Sequence, residues 1–166
     1  MVTAAPGRYD TGVFAESEQV SSLLANLARF VPHNQALGIR FESLKEGRVT
    51  LALPYDAKLV GNPLTGVLHG GAITALMDAA CGMAVFVKLA APIPIATLDL
   101  RIDYLRPATP ANEVHGRAEC FKVTRSVAFV RCEAFHPQGE GDLVAVANGT
   151  FMIFRGRKAG ARGGEP

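Results

Sequence analysis

The sequence predicts an α+β domain in which an antiparallel β-sheet is wrapped around one long apolar helix, and three observations predict it. Residues 70–87 form a nearly continuous apolar run, opened by Gly70-Gly71 and interrupted by one acid, Asp78. Beyond it, Leu98, Leu100, Ile102 and Tyr104 alternate with Asp99, Arg101 and Asp103, the period of a strand with one buried face. The inward positions of the next two alternating segments are small: Val114, Gly116, Ala118 and Cys120, then Ala128, Val130, Cys132 and Ala134. Small residues on a concave sheet face leave room for a helix to nest there. With no linker or repeat dividing the chain, this order argues for a sheet carrying its helix on one face.

Residues 1–16, with Pro6, Gly7 and Gly12 and little periodicity, are expected to form a flexible arm, ahead of a domain over 17–155. Ser17 and the spacing of Val20, Leu23, Leu24, Leu27, Phe30 and Val31 predict an amphipathic helix that Pro32 ends. Strands follow at Gly38–Leu44 and Arg48–Leu53, joined at Lys45-Glu46-Gly47 and closed by Pro54. After the central helix, Pro92 and Pro94 break the chain and Pro107 and Pro110 end the first alternating run. Residues 137–141 form a turn into a last strand, Leu143–Phe154, where Asn148-Gly149 predicts a bulge. The Gly-rich basic residues 156–166 are expected to be a flexible tail.

Composition narrows the function. A chain of 166 residues, 49% hydrophobic and 19% charged, suits one domain with a sizeable core. A net charge of +2 and a pI near 8.5 are too mild for a nucleic-acid binder but suit an anionic small ligand. Cys81, Cys120 and Cys132 form no C-x-x-C pair and are odd in number, which argues against a disulfide framework and for a reducing, cytoplasmic setting. No signal-like apolar stretch follows Arg8. The central run matches the shortest membrane spans in length, but Asp78 at its middle would cost roughly 2.5–3.5 kcal/mol to insert, so a buried core helix is expected and no membrane. No metal-ligand spacing joins His33, His69, His115 and His136, and no phosphate or dinucleotide fingerprint occurs, so neither metal nor cofactor is expected.

The chemistry concentrates at residues 62–87. Glycines permit close backbone approach, and the first N–H groups of a helix lack partners within it, so they can donate to a carbonyl oxygen that is becoming negative. A carboxylate among apolar residues, as at Asp78, is costly unless it has partners or work. Cys81, one turn further on, lacks an activating partner and reads as an inert buried thiol rather than a nucleophile.

Asn62, then Leu68-His69-Gly70-Gly71, then Asp78, with Tyr104-Leu105-Arg106-Pro107-Ala108 after the helix, resemble the hot-dog-fold acyl-CoA thioesterases of the phenylacetate-pathway (PaaI-like) branch. The resemblance spans roughly residues 35–155. It implies a hot-dog fold and hydrolysis of an acyl-CoA to free acid and CoA, with CoA part of the substrate rather than a cofactor. It also implies that the Gly70 N–H polarises the thioester carbonyl and that Asp78 acts as general base or as nucleophile. Asn62 would help hold the carbonyl or water, His69 would orient the loop, and Thr97 would position water near the acid. Alternation, however, places Thr97 with Asp99 and Arg101 on the wetter face. Gly71 and Arg125, the latter in the turn Thr124-Arg125-Ser126, are assigned to CoA, with Arg155, Arg157 and Lys158 as weaker candidates. The acyl pocket is expected to be lined by Leu59, Val60, Met77 and Phe86.

Helical rise adds a constraint. Gly70 and Asp78 lie about 12 Å apart along one helix at roughly 1.5 Å per residue, beyond the reach of an Asp side chain. If both serve one carbonyl, Asp78 comes from a second subunit, which predicts a homodimer with shared sites. Members of the resembled family often pair further into tetramers. The competing readings are a non-catalytic acyl-CoA-binding hot-dog module, which has no reason to keep Asp78, and a hydratase, which needs an Asp and a His in one short loop, whereas no acid stands two positions before Asn62-Pro63.

Overall fold

The computed structural model describes residues 18–91, 93–138 and 142–155. The expected arm, Ser17, the tip of the turn over 139–141 and the tail therefore lie outside the described residues.

The chain runs α1 (Glu18–Phe30), α2 (Pro32–Leu37), β1 (Arg40–Lys45), β2 (Arg48–Leu53), a 3-10 turn (Ala57–Leu59), β3 (Val60–Asn62), β4 (Val67–Leu68), α3 (Gly70–Leu89), β5 (Ile95–Tyr104), β6 (Val114–Val123), β7 (Val127–Phe135) and β8 (Leu143–Ile153). Six strands form one antiparallel sheet in the order β1-β2-β6-β7-β8-β5, and β3 pairs with β4 in a small hairpin just before α3. The sheet curls around α3, which packs chiefly on β6 and also on β2 and β7. This is the α+β, hot-dog arrangement that the small inward residues require: a Cβ built on Gly116 would stand 3.1 Å from Leu76 Cγ. Leu76, Met77, Ala80, Cys81 and Val85 of α3 are fully buried against the strands. By length and composition α3 could cross a membrane; 56% of that apolar window is buried inside this domain.

The structure departs from the expected elements at three places that matter for the site. Pro32 does not simply end the first helix; it opens a second one at a position where its missing N–H is no loss. Gly38, expected in a strand, is instead the left-handed cap of α2 at φ 73°, its N–H reaching Asn34 and Gln35 carbonyls. The bend leaves part of the apolar stripe of α1 unpacked within the chain, with Phe30 81% and Val31 42% exposed.

The third departure concerns the bulge. It lies on β5 and not at Asn148-Gly149: the ladder pairs Thr97 with Phe151 and Asp99 with Thr150, leaving Leu98 as the extra residue. Because side chains alternate, one extra residue reverses the phase of everything before it. Ile95 and Thr97 therefore face α3 on one side of the bulge, as Leu100 does on the other, while Leu98 is turned out and 54% exposed. Gly149 lies in the regular part of β8, paired with Leu100.

Candidate active site

α3 and its entry loop position the site. β3 and β4 bring the chain back on itself so that His69 N–H donates to the Leu59 carbonyl at 2.8 Å. Gly61 lies so close beneath that a Cβ there would stand 2.8 Å from His69 Cα. His69 is the N-cap of α3: its backbone is extended, and its Nδ1 accepts the Gly71 N–H at 2.9 Å. That bond occupies the Gly71 donor, whereas no acceptor for the Gly70 N–H is found among the described residues. The Gly70 carbonyl is held from the opposite side by the Tyr104 hydroxyl at 2.6 Å and the Thr74 hydroxyl at 3.1 Å.

Eight residues along α3, Asp78 is half-buried and receives the Thr97 hydroxyl on Oδ1 at 2.9 Å. The outward face predicted for Thr97 is thus corrected by the Leu98 bulge. Asp78 and Thr97 lie in the wall of a trough of about 830 Å³ whose lining is otherwise mainly apolar, including Leu27, Phe30, Met83, Phe86, Ile95 and Leu100. Gly71 lies at the same trough. Of the expected pocket residues Phe86 lines it; Met77 does not, because it sits on the sheet-facing side of α3 with 0% exposure. Leu59 and Val60 border a separate hollow of about 380 Å³ beside His69 and Gly71.

Asn62 is exposed, and its Oδ1 accepts the Leu64 N–H at 3.0 Å, fastening the turn between β3 and β4. Arg125 is exposed in the β6–β7 turn, away from the trough lining. That turn lies at the end of the sheet where β5 begins, since the Ile153 N–H reaches the Ser126 carbonyl at 2.8 Å and Ile153 pairs with Ile95. Arg155 is exposed, while Arg157 and Lys158 lie outside the described residues.

The cysteines are buried thiols. Burial pushes Cys120 up to about 11, and a hydrogen bond with Cys81 together with burial raises Cys132 well above the ordinary thiol range. Neither is a thiolate near neutral pH. Among the described residues no group of three or more His, Cys, Asp or Glu could hold a metal ion. Sequence reasoning assigned Tyr104 no role of its own. The available signal was a phenol at the end of an apolar-phase strand, a ring with a polar tip that can reach a partner while the ring itself stays half-exposed.

A sheet wrapped around a helix, with a capped glycine turn at the helix start and a hydroxyl-bound acid facing an apolar trough, defines a hot-dog domain with the parts of a hydrolase. Residues 65–142 match the thioesterase superfamily. The chain is 31% identical to the medium/long-chain acyl-CoA thioesterase YigI of Escherichia coli, over 82% of this chain and 96% of that protein. Among solved structures, a thioesterase family protein from Silicibacter pomeroyi superposes with a TM-score of 0.70 at 29% identity, covering 80% of this chain and 96% of that one. A variant of the phenylacetic acid degradation protein PaaI from Thermus thermophilus gives 0.62 at 31% identity, covering 74% and 98%. The chain belongs to the thioesterase superfamily, with PaaI-type thioesterases among its structural neighbours, and is a thioester hydrolase.

Proposed function

We propose that this protein hydrolyses acyl-CoA thioesters at two equivalent sites, each built from the Gly70 turn of one subunit and the Asp78–Thr97 pair of the other. The observation that carries the reading is the Asp78–Thr97 hydrogen bond at the wall of an apolar trough. An oxygen, from water deprotonated by Asp78 or from Asp78 itself, adds to the thioester carbon. The carbonyl electron pair moves onto oxygen, where the Gly70 N–H and the helix N-terminus stabilise it by about 3 kcal/mol. Collapse breaks the C–S bond, and CoA leaves and is protonated to the thiol. In the nucleophile variant, water then hydrolyses the acyl–Asp78 anhydride. His69 serves by capping α3 and keeping the turn in shape. Asn62 braces the loop ahead of it, and Gly71 and Arg125 are assigned to the CoA moiety. The reaction needs no cofactor beyond the CoA that the substrate carries.

Three features support the shared site. Gly70 and Asp78 of one helix are about 12 Å apart. Within a subunit Thr97 meets Asp78, while Tyr104 meets Gly70 and the Thr74 hydroxyl, so β5 runs alongside α3 from Asp78 back to Gly70. A two-fold axis that brought Gly70 to the partner's Asp78 would cross α3 midway between the two residues and set two β5 strands antiparallel, edge to edge. β5 is an edge strand of the sheet, ten residues long, and an unpaired edge of that length is a template for another strand.

A thiol-release assay over an acyl-CoA panel, with wild type and Asp78→Ala, tests the reading. Hydrolysis that is abolished in Asp78→Ala supports it. Binding of acyl-CoA without turnover of any panel member would replace it with a binding module, and an active monomer in analytical ultracentrifugation would remove the shared site.

A further inference from the structure

Thr97 reaches Asp78 only because Leu98 is taken up as an extra residue in β5, and the structure shows what makes room for that bulge. Opposite the bulge in β8 stand Thr150 and Phe151, and next to them is Gly149, paired with Leu100 and without the positive φ that would by itself call for glycine. A Cβ built there would lie 2.8 Å from the Asp99 carbonyl oxygen and 2.9 Å from Leu100 Cδ1. The leucine methyl can rotate away, but the Asp99 oxygen is backbone, held in the stretch that re-enters the ladder after the bulge. Any side chain at 149 therefore pushes on the backbone of β5 where it leaves the bulge. Bulges beside active sites re-aim side chains, and here a shift of one residue decides whether Thr97 faces α3 or solvent.

We infer that Gly149 is a positioning residue for the hydrolytic site: by admitting the Leu98 bulge it holds β5 in the phase that aims the Thr97 hydroxyl at Asp78. Gly149 touches neither substrate nor the reacting atoms. Its effect passes through Asp99, Leu98 and Thr97, a path made of one backbone segment. The role of the hydroxyl in turnover rests on the reading given under Proposed function, whereas the geometric coupling between Gly149 and Asp78 does not.

The test is a double-variant comparison of Gly149→Ala, Thr97→Val and the two combined, read in two ways. One readout is kcat and KM on the best acyl-CoA of the panel; the other is the side-chain carboxyl 13C resonance of Asp78 at fixed pH. Thr97→Val removes the bond to the carboxylate and is expected to move the resonance and lower kcat by about tenfold. Gly149→Ala should move the resonance the same way and lower kcat to a similar extent with KM little changed, and the combined variant should go no further. An unmoved resonance in Gly149→Ala, or losses that multiply in the combined variant, would overturn the inference. Should Gly149→Ala not fold, deletion of Leu98 in the same chain removes the crowding and is expected to restore soluble protein with the wild-type Asp78 resonance; failure to do so also overturns it. A wild type inactive on the whole panel, whose Asp78 resonance nevertheless answers both substitutions alike, would sink the proposed function and leave this coupling standing.

Discussion

Thr97 and Asp78 are joined across the gap between sheet and central helix by a 2.9 Å bond, hydroxyl to carboxylate, beside the apolar trough. The bond leaves Asp78 Oδ2 free of any partner among the described residues, so one oxygen is oriented while the other can meet water or a carbonyl carbon. Thr97→Ser keeps the hydroxyl and should retain most of the wild-type kcat, unlike Thr97→Val. Steady-state thiol release checks it, and equal losses in both variants would assign Thr97 to packing instead.

Gly70→Pro separates the oxyanion donor from the helix it starts. Gly70 is the first residue of α3, where proline suits the helix and removes an N–H that has no intrahelical partner, while its Cβ would stand 3.2 Å from the Tyr104 hydroxyl, on a half-exposed ring that has room to give. His69 at φ −63° and ψ 133° already has the extended backbone that a residue before proline adopts. The variant should fold, bind acyl-CoA and lose about 10²–10³ in kcat. Circular dichroism and thiol release together check this; wild-type turnover would place the oxyanion elsewhere.

Complementation tests the shared site. Gly70→Pro and Asp78→Asn are each expected to be nearly inactive, but a heterodimer of the two holds one site with both intact halves. Random reassortment should restore about a quarter of the wild-type sites. Denaturing the variants together, refolding them and assaying the mixture reads the outcome, and no recovery would place Gly70 and Asp78 of each site in one subunit.

His69→Ala removes the cap on α3 and leaves the Gly71 N–H without its acceptor. The expected cost is ~1 kcal/mol, a fall of about 2–4 °C in melting temperature. His69→Asn, which can cap through its side-chain oxygen, should recover most of it. Differential scanning calorimetry checks the pair, and an unchanged melt in His69→Ala would deny the cap a part in stability.

Acid stability depends on a group far from the site. Arg40 donates to Glu113 Oε2 at 2.7 Å and His115 lies 2.8 Å from Oε1, tying β1 to the start of β6. The Arg40 hydrogen bond, with help from His115, holds the Glu113 carboxyl below its ordinary value of 4.5. A lowered folded-state value means that the stabilisation is fully present above about pH 4.5 and is lost as pH falls through the folded-state value. Glu113→Gln should therefore melt lower at neutral pH and show a shallower decline below pH 4.5. Melting curves from pH 7 to pH 3 check this; parallel curves for both proteins would remove Glu113 from the acid transition.

Much of the architecture was legible because it rests on local patterns. The small inward positions Gly116, Ala118, Ala128 and Ala134 pointed to a sheet closing on a helix, and the apolar run from Gly70 pointed to that helix. Gly70 and Asp78, and the distance that keeps them apart, follow from helix geometry alone. The small β3–β4 hairpin and the restart of the chain at Pro32 were not legible, since both are settled by what the short segments pack against.

What the amino-acid order determined by itself was the set of parts: a glycine turn, a helix, an acid and alternating strands. Only the tertiary structure decided how two of those parts meet. Period-2 counting along residues 97–104 sends Thr97 away from the helix, and the count fails because β5 carries one residue more than β8 has partners for. A bulge depends on the neighbouring strand, here on the empty side of Gly149, so no reading of β5 in isolation could place it. Facing direction in a sheet has a period of two, and one unpaired residue therefore moves Thr97 from the solvent side to Asp78.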